Sequence, residues 1–444
     1  MNRNTKNNQN ARKIYRSQNA RIKAITETTM IVGIDIGSEK HDARAFNYRG
    51  IEITEEPLEF SNNEEGFETL LAWMEDLKSR NGLDAVIPGM EPTGHYWFNI
   101  GAFLQSHGMR PVLVNPYHVK QSKELDDNNP LKTDRKDPKV IAGLVKDGRY
   151  QIPYIPEGVY AEVRSLSVLR YQAQEALTRV KNRLARWFSI YFPEFRDVYT
   201  QPNPVSGIMV LKKAPFPEDI VKLGADGIIK IWREAKLRGA GEKKARQLVD
   251  AAVHSIGRKT AHEAARIEMK ELLEDYDKYS NRVDELMSLL EQKTQEIPYI
   301  DKLLEITGIG ERTAYGFVAE VGDIRRFEDP RQLQKLAGYA IVEDSSGKHK
   351  GESHISYRGR KRLRYVLYEA AVSVVGKNKE FKELYNYYRN RKINPLKKMQ
   401  AMIAIACKLI RVFYKILTSG VDYSGTKMLE DIRRTSEDVN TVAA

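Results

Sequence analysis

Four carboxylates stand where they could serve one cation. Asp35 ends the apolar run Ile31-Val32-Gly33-Ile34, and Glu91 follows Ala85-Val86-Ile87-Pro88-Gly89-Met90. Asp134 and Asp137 lie in Lys132-Thr133-Asp134-Arg135-Lys136-Asp137. An apolar run that stops at an acid reads as a buried strand with the acid at its rim. A hard divalent cation needs several oxygen ligands brought from distant segments, with open positions left for phosphate. Asp134 and Asp137 are three apart and share a face if helical. Each acid also has a plainer reading. Asp137 before Pro138 is a favoured helix start, Asp134 can pair with a neighbouring arginine, and Asp35 before Gly37 suits a turn. Their joint placement at strand ends and a helix start favours metal binding.

Three further segments carry chemistry. Gly89–Trp97 packs Pro92, Gly94, His95 and Tyr96 behind Glu91, a tight break that aims the acid at the strand's C-terminal edge. His95 and Tyr96 suit either nucleic-acid contact or packing at a helix start. Leu303–Ala314 contains Gly308-Ile309-Gly310 and resembles a helix-hairpin-helix, whose backbone N–H groups at a helix start approach a DNA phosphate. A tight interhelical turn is the plainer account. Between 348 and 364 stand Lys348, Lys350, Arg358, Arg360, Lys361, Arg362 and Arg364 against one acid, Glu352, a patch suited to phosphate contacts. Ser346 beside Gly347 is by composition a turn.

The elements that must position these residues follow from periodicity. Residues 1–29 are rich in Asn, Lys and Arg and read as a disordered basic arm. Residues 30–150 begin with three meandering strands (31–35, 41–47, 51–60) and continue with alternating helices and strands, an α/β domain with a mixed sheet. Acids on the first strand and on the strand after the first helix are the layout of the ribonuclease H-like fold. Residues 151–297 carry two long apolar stripes, Leu166 to Tyr191 and Leu272 to Leu290, that read as coiled coil. The stripes fit a helix pair within one chain or an oligomer. Residues 201–260 between them form a small helical insertion. Residues 298–420 are a mainly helical C-terminal domain, and 421–444 a flexible polar tail.

Across 444 residues, Lys and Arg number 72 against 60 acids, a formal net charge of +12 that favours a polyanionic partner. The single cysteine, Cys407, excludes an internal disulfide framework and a thiolate zinc cluster and suits a reducing cytoplasm. No run approaches the roughly 20 apolar residues of a membrane span, and no Walker-type phosphate loop is present.

Taken in order, these motifs resemble the DEDD-type transposases of bacterial insertion sequences, the group that includes the Piv-type pilin-gene invertases. The resemblance runs from Ile31 to about Ala371. It rests on Val32-Gly33-Ile34-Asp35, Glu91-Pro92-Thr93-Gly94-His95-Tyr96, Val114-Asn115-Pro116, Lys132–Asp137, Gly308-Ile309-Gly310, Ala337-Gly338, Ser346-Gly347, and Ile355-Ser356 with Leu363-Arg364. It implies a RuvC-like nuclease domain carrying Asp35, Glu91, Asp134 and Asp137, a coiled-coil linker, and a transposase domain whose serine falls on Ser346, with Ser345 its rival. It further implies a bacterial, nucleoid-associated recombinase that uses Mg2+, with Mn2+ as a substitute and no ATP. Such an enzyme joins donor and target double-stranded DNA through a phosphoserine intermediate, guided by a structured noncoding bridge RNA. Its members assemble from dimers into tetramers. Pro138 and Ile341 depart from the family pattern, which has a small residue and a proline there. The competing expectation is a RuvC-like endonuclease or junction resolvase that uses metal-activated water and has no need of Ser346.

Overall fold

The structure, a computed structural model, describes residues 17–126, 137–200, 204–260, 262–342, 345–346, 349–350, 354–430 and 432. The chain divides into two units between Ile155 and Pro156.

The first unit holds α1 (residues 17–23), β1 (Thr29–Ile36), β2 (Lys40–Phe46), β3 (Leu58–Ser61), α2 (Glu64–Arg80), β4 (Ala85–Met90), α3 (Trp97–Ser106), β5 (Val112–Val114), α4 (Pro116–Asp126), α5 (Asp137–Lys146) and β6 (Tyr150–Gln151). One mixed sheet runs in the order β3-β2-β1-β4-β5-β6. β1, β4 and β5 are parallel, while β2, β3 and β6 run antiparallel to their neighbours. The strand period of two sorts β1 onto both faces. Met30, Val32, Ile34 and Ile36 join a core with Phe67, Leu70 and Met74 of α2 and Ile100 and Leu104 of α3. Ile31 faces a second core built on Ile141 and Val145 of α5 with Val112 and Val114. Helix α2 starts where Asn63 Oδ1 accepts from Gly66 N–H, with Glu64 and Glu65 in its first turn and Lys78 and Arg80 in its last.

Two expectations change. The third strand is shorter than the 51–60 run, because Glu55, Glu56 and the donor-less Pro57 keep the stretch before Leu58 out of the ladder apart from a bridge at Glu52. The expectation of a disordered arm does not hold over residues 17–23. Helix α1 docks on the domain, where Gln18 donates to Asp147 O (2.8 Å) and Arg21 lies 5.4 Å over the Tyr150 ring.

The second unit is helical. α6 (Gly158–Tyr191) is followed by α7 (Phe195–Val198), α8 (Val205–Leu211), α9 (Pro217–Glu234) and α10 (Glu242–Val253), and then by α11 (His262–Thr294). α6 and α11 run antiparallel. Val163 shares a core with Leu290, Ala173 and Leu177 pack with Val283 and Leu286, and Trp187 Nε1 donates to Ala265 O (3.0 Å). The coiled-coil stripes are thus used within the chain. Helices α8–α10 lie in the expected 201–260 insertion, and together with α7 before it they cover one end of the pair around Phe188, Phe195, Phe216 and Trp232.

The other end joins a core of α12 (Ile300–Leu304), α13 (Glu311–Val321), α14 (Pro330–Leu336), α15 (Lys361–Lys377), α16 (Lys379–Asn390) and α17 (Lys398–Ser419). Two small ribbons interrupt these helices, β7 (Ile341–Val342) with β10 (His354–Ile355), and β8 (Ser345–Ser346) with β9 (His349–Lys350). The expected flexible tail does not hold as far as residue 429, because Met428 and Leu429 are buried in this core. Burial pushes the Cys407 thiol up to about 11, so it packs as a small hydrophobe.

Candidate active site

The backbone of the first unit gathers carboxylates at one edge. Ile34 of β1 pairs in parallel with Met90 of β4, so the next residues, Asp35 and Glu91, stand level on strands about 4.8 Å apart. On the other side Asp35 is directly opposite Asp42 of β2, and Asp42 is opposite Glu59 of β3. Residues paired across strands share a face. A row of acidic positions therefore crosses four neighbouring strands.

Helix α5 identifies that face. The Pro138 carbonyl occupies the place a Cβ on Gly33 would take, and a Cβ on Gly89 would meet Val145 and Ile141. Asp35 and Glu91 are two residues beyond these glycines, so alternation puts them on the α5 side. Asp137 opens α5 and precedes the Pro138 that lies over Gly33. Asp35, Asp42, Glu91 and Asp137 are all half-buried. Acids set opposite one another in a sheet repel.

Asp134 lies outside the described residues, and among the described residues no three His, Cys, Asp or Glu side chains form a metal cage. The donor set still fits Mg2+ in kind. All its donors are oxygens, and Mg2+ is commonly held by one or two carboxylates together with waters and substrate phosphates.

Behind Glu91, Thr93 N–H donates to Glu91 O (2.8 Å) and Gly94 adopts φ +56°, which makes the tight break. Tyr96 is half-buried at the start of α3, where it packs on the core, while His95 is exposed. On the other face His41 is fully buried. Its Nδ1 accepts from Gly37 N–H (3.2 Å), tying down the β1–β2 turn, and burial lowers its pKa.

In the second unit, Ser346 stands across β8–β9 from His349, and Ser345 from Lys350. Gly347 and Lys348 lie outside the described residues. Gly308, at φ +97°, is pressed against α15. A Cβ there would crowd the Val374 backbone, and Ser373 Oγ donates to its carbonyl (2.7 Å). Its glycine serves helix packing. Gly310 is the N-cap of α13, with open space around it.

The basic patch divides. Arg358 and Lys361 are exposed. Arg360 and Arg362 share Glu320, a carboxylate only 7 % exposed, at 3.7 and 3.9 Å. Arg364 donates to Ala337 O (3.1 Å) and Tyr357 O (3.2 Å). These three guanidiniums are thus also part of the domain's own packing, which the count of basic residues could not reveal. Asp42 and Glu320 went unnoticed in the sequence. Asp42 was within reach, since a hairpin turning at 37–40 sets 35 against 42.

Residues 32–193 match a DEDD transposase family model of the IS110 type, and residues 300–386 match a model described as the transposase IS116/IS110/IS902 family. The chain is 24% identical over 324 residues to an insertion element IS116 uncharacterized 44.8 kDa protein of Streptomyces clavuligerus, covering 71% of this chain and 78% of that protein. It is 25% identical over 395 residues to the pilin gene-inverting protein of Moraxella lacunata, covering 87% of this chain and 95% of that one.

Proposed function

This chain belongs to the IS110-type transposases and is a DNA transposase or recombinase, and we propose that it exchanges strands through an ester between Ser346 and a DNA phosphate, with Mg2+ at the carboxylate row. The observation that carries the reading is the level placement of Asp35 and Glu91 on parallel neighbouring strands. The sheet order, with three antiparallel strands leading into parallel ones beneath α5, supports an RNase H-like domain for the first unit.

Asp35, Glu91 and Asp137, with Asp134, would hold the ion. Bound there, Mg2+ would neutralise charge on the phosphate oxygens in the reaction. In the exchange, Ser346 Oγ bonds to phosphorus and gives up its proton as a strand hydroxyl leaves. A hydroxyl from the second duplex then displaces the serine. Each step trades one phosphodiester for another, so no nucleotide is consumed. A serine hydroxyl needs activation, and His349, across the ribbon from Ser346, is a candidate base by position. The family resemblance adds a bridge RNA as guide for donor and target DNA, and assembly of dimers into tetramers.

The test incubates the full protein with guide RNA and a nicked suicide DNA in Mg2+, followed by denaturing electrophoresis. A protein–DNA adduct is expected. Ser346→Ala should lose the adduct and recombination while retaining DNA binding. Recombination by Ser346→Ala but not by Ser345→Ala would move the role to Ser345. Recombination by both variants would replace the serine mechanism with metal-activated water, as in an endonuclease.

A further inference from the structure

The second unit carries a cluster of guanidiniums in which Arg362 of the basic patch is joined by two residues from other helices, Arg170 and Arg312. Arg170 is on α6, Arg312 in the first turn of α13 and Arg362 in the first turn of α15. Arg170 is partly buried, and among the described residues no carboxylate lies within ion-pair range of it. Arg362 lies over the ring of Tyr171, the residue that follows Arg170 on α6, and after burial the charges of Arg312 and Arg362 are what lower the Arg170 pKa. Arg362 is fixed in place. It lies 4.3 Å over the Tyr171 ring and 3.9 Å from Glu320, which Arg360 also uses. Nearby acids are Glu320, Glu311 at the start of α13, and Glu175, which accepts from Tyr171. Arg170, Arg312, Arg360, Lys361 and Arg362 outnumber them.

Holding like charges together costs stability unless an anion joins them. We propose that Arg170, Arg312 and Arg362, gathered where α6 meets the starts of α13 and α15, form a docking site for backbone phosphates of a DNA strand, the substrate a recombinase must hold. The proposal rests on the recombinase reading and names a surface for it. Guanidinium forks match phosphate geometry. Neither α13 nor α15 has a side-chain cap at its N-terminus, which leaves backbone N–H groups for the same anion. The open space at Gly310 gives a strand room to approach. Tyr365, 57% exposed and next to Tyr171, adds a ring against which a base can stack.

The experiment measures equilibrium binding of the full-length protein to unrelated duplex DNA and, separately, to a structured RNA over a salt titration. For Arg170→Gln/Arg312→Gln, affinity should fall about tenfold or more, and the duplex salt slope should lose about two counterions. The thermal midpoint should hold or rise, since a repulsion is removed. Arg312→Gln alone, at an exposed position that does not endanger folding, should lose about one. Arg170→Lys/Arg312→Lys should keep most of the slope. Loss in the DNA arm is the expected result, and loss in the RNA arm alone would overturn the assignment to DNA. Unchanged slope and affinity in both arms for Arg312→Gln and the double variant would overturn the site, including in favour of an acidic protein partner. Wild-type protein that bound no DNA would instead sink the recombinase reading.

Discussion

The Pro138 carbonyl fills the space next to Gly33 that any side chain at that position would need. Glycine in β1 therefore sets how closely the start of α5 approaches the sheet, and with it how Asp137 stands relative to Asp35. Gly33→Ala should force α5 outward. The expected cost is about 1–3 kcal/mol of stability, read by urea denaturation, with loss of recombination in protein that remains folded. Full activity in that variant would show that the contact does not position the acids.

Asp35→Asn should abolish strand transfer while leaving secondary structure and thermal midpoint near wild type, because it removes charge without changing volume. Asp42→Asn tests the residue that faces Asp35 across the hairpin. As a neighbour of the proposed ion rather than a named ligand, it should slow strand transfer by about 10–100-fold. Identical rates for Asp42→Asn and wild type would confine the site to the four acids seen in the sequence.

Glu320→Gln removes the one carboxylate shared by Arg360 and Arg362. The guanidiniums are partly open to solvent, so the loss should be about 1–3 kcal/mol, measured by denaturant midpoint. The same variant should bind nucleic acid more tightly at low salt, since the cluster gains a net positive charge. Unchanged stability would mean that Tyr171 suffices for Arg362 and the Glu320 carbonyl for Arg360.

His41 gives the first unit a pH dependence. Burial lowers its pKa in the folded state below the ordinary 6.5, so the unfolded chain takes up its proton first as pH falls. The neutral ring's contribution is complete above 6.5 and is lost as pH drops through the folded value, with a slope of at most about 1.4 kcal/mol per pH unit for one proton. His41→Asn should flatten this part of the stability profile. A profile as steep as wild type would assign the slope to other groups.

Where a single strand or helix states its own boundary, the sequence was readable. The run before Asp35, the run before Glu91 and the helix opened by Asp137–Pro138 all stand where periodicity and turn chemistry put them. What needed a partner was not readable. The stripes on α6 and α11 have the same spacing whether they meet in one chain or two. Arg360, Arg362 and Arg364 read as a free basic patch because Glu320, Tyr171 and Ala337 reach them only through the fold. Helix α1 went unseen because Ile22 and Ile25 are too few to signal a face until Tyr150 and Gly148 come within reach.

The antiparallel pair α6–α11 has a further consequence. With 34 residues in α6, it acts as a strut about 50 Å long, carrying one helical core near each end. Spacing along such a strut is counted in residues. Removing seven from each helix would bring the two cores about 10 Å closer with their relative azimuth nearly kept. Removing three or four would swing one core around the axis by a turn that is not whole. Changing the distance between the two cores while leaving both intact therefore takes steps of about seven residues, or two helical turns.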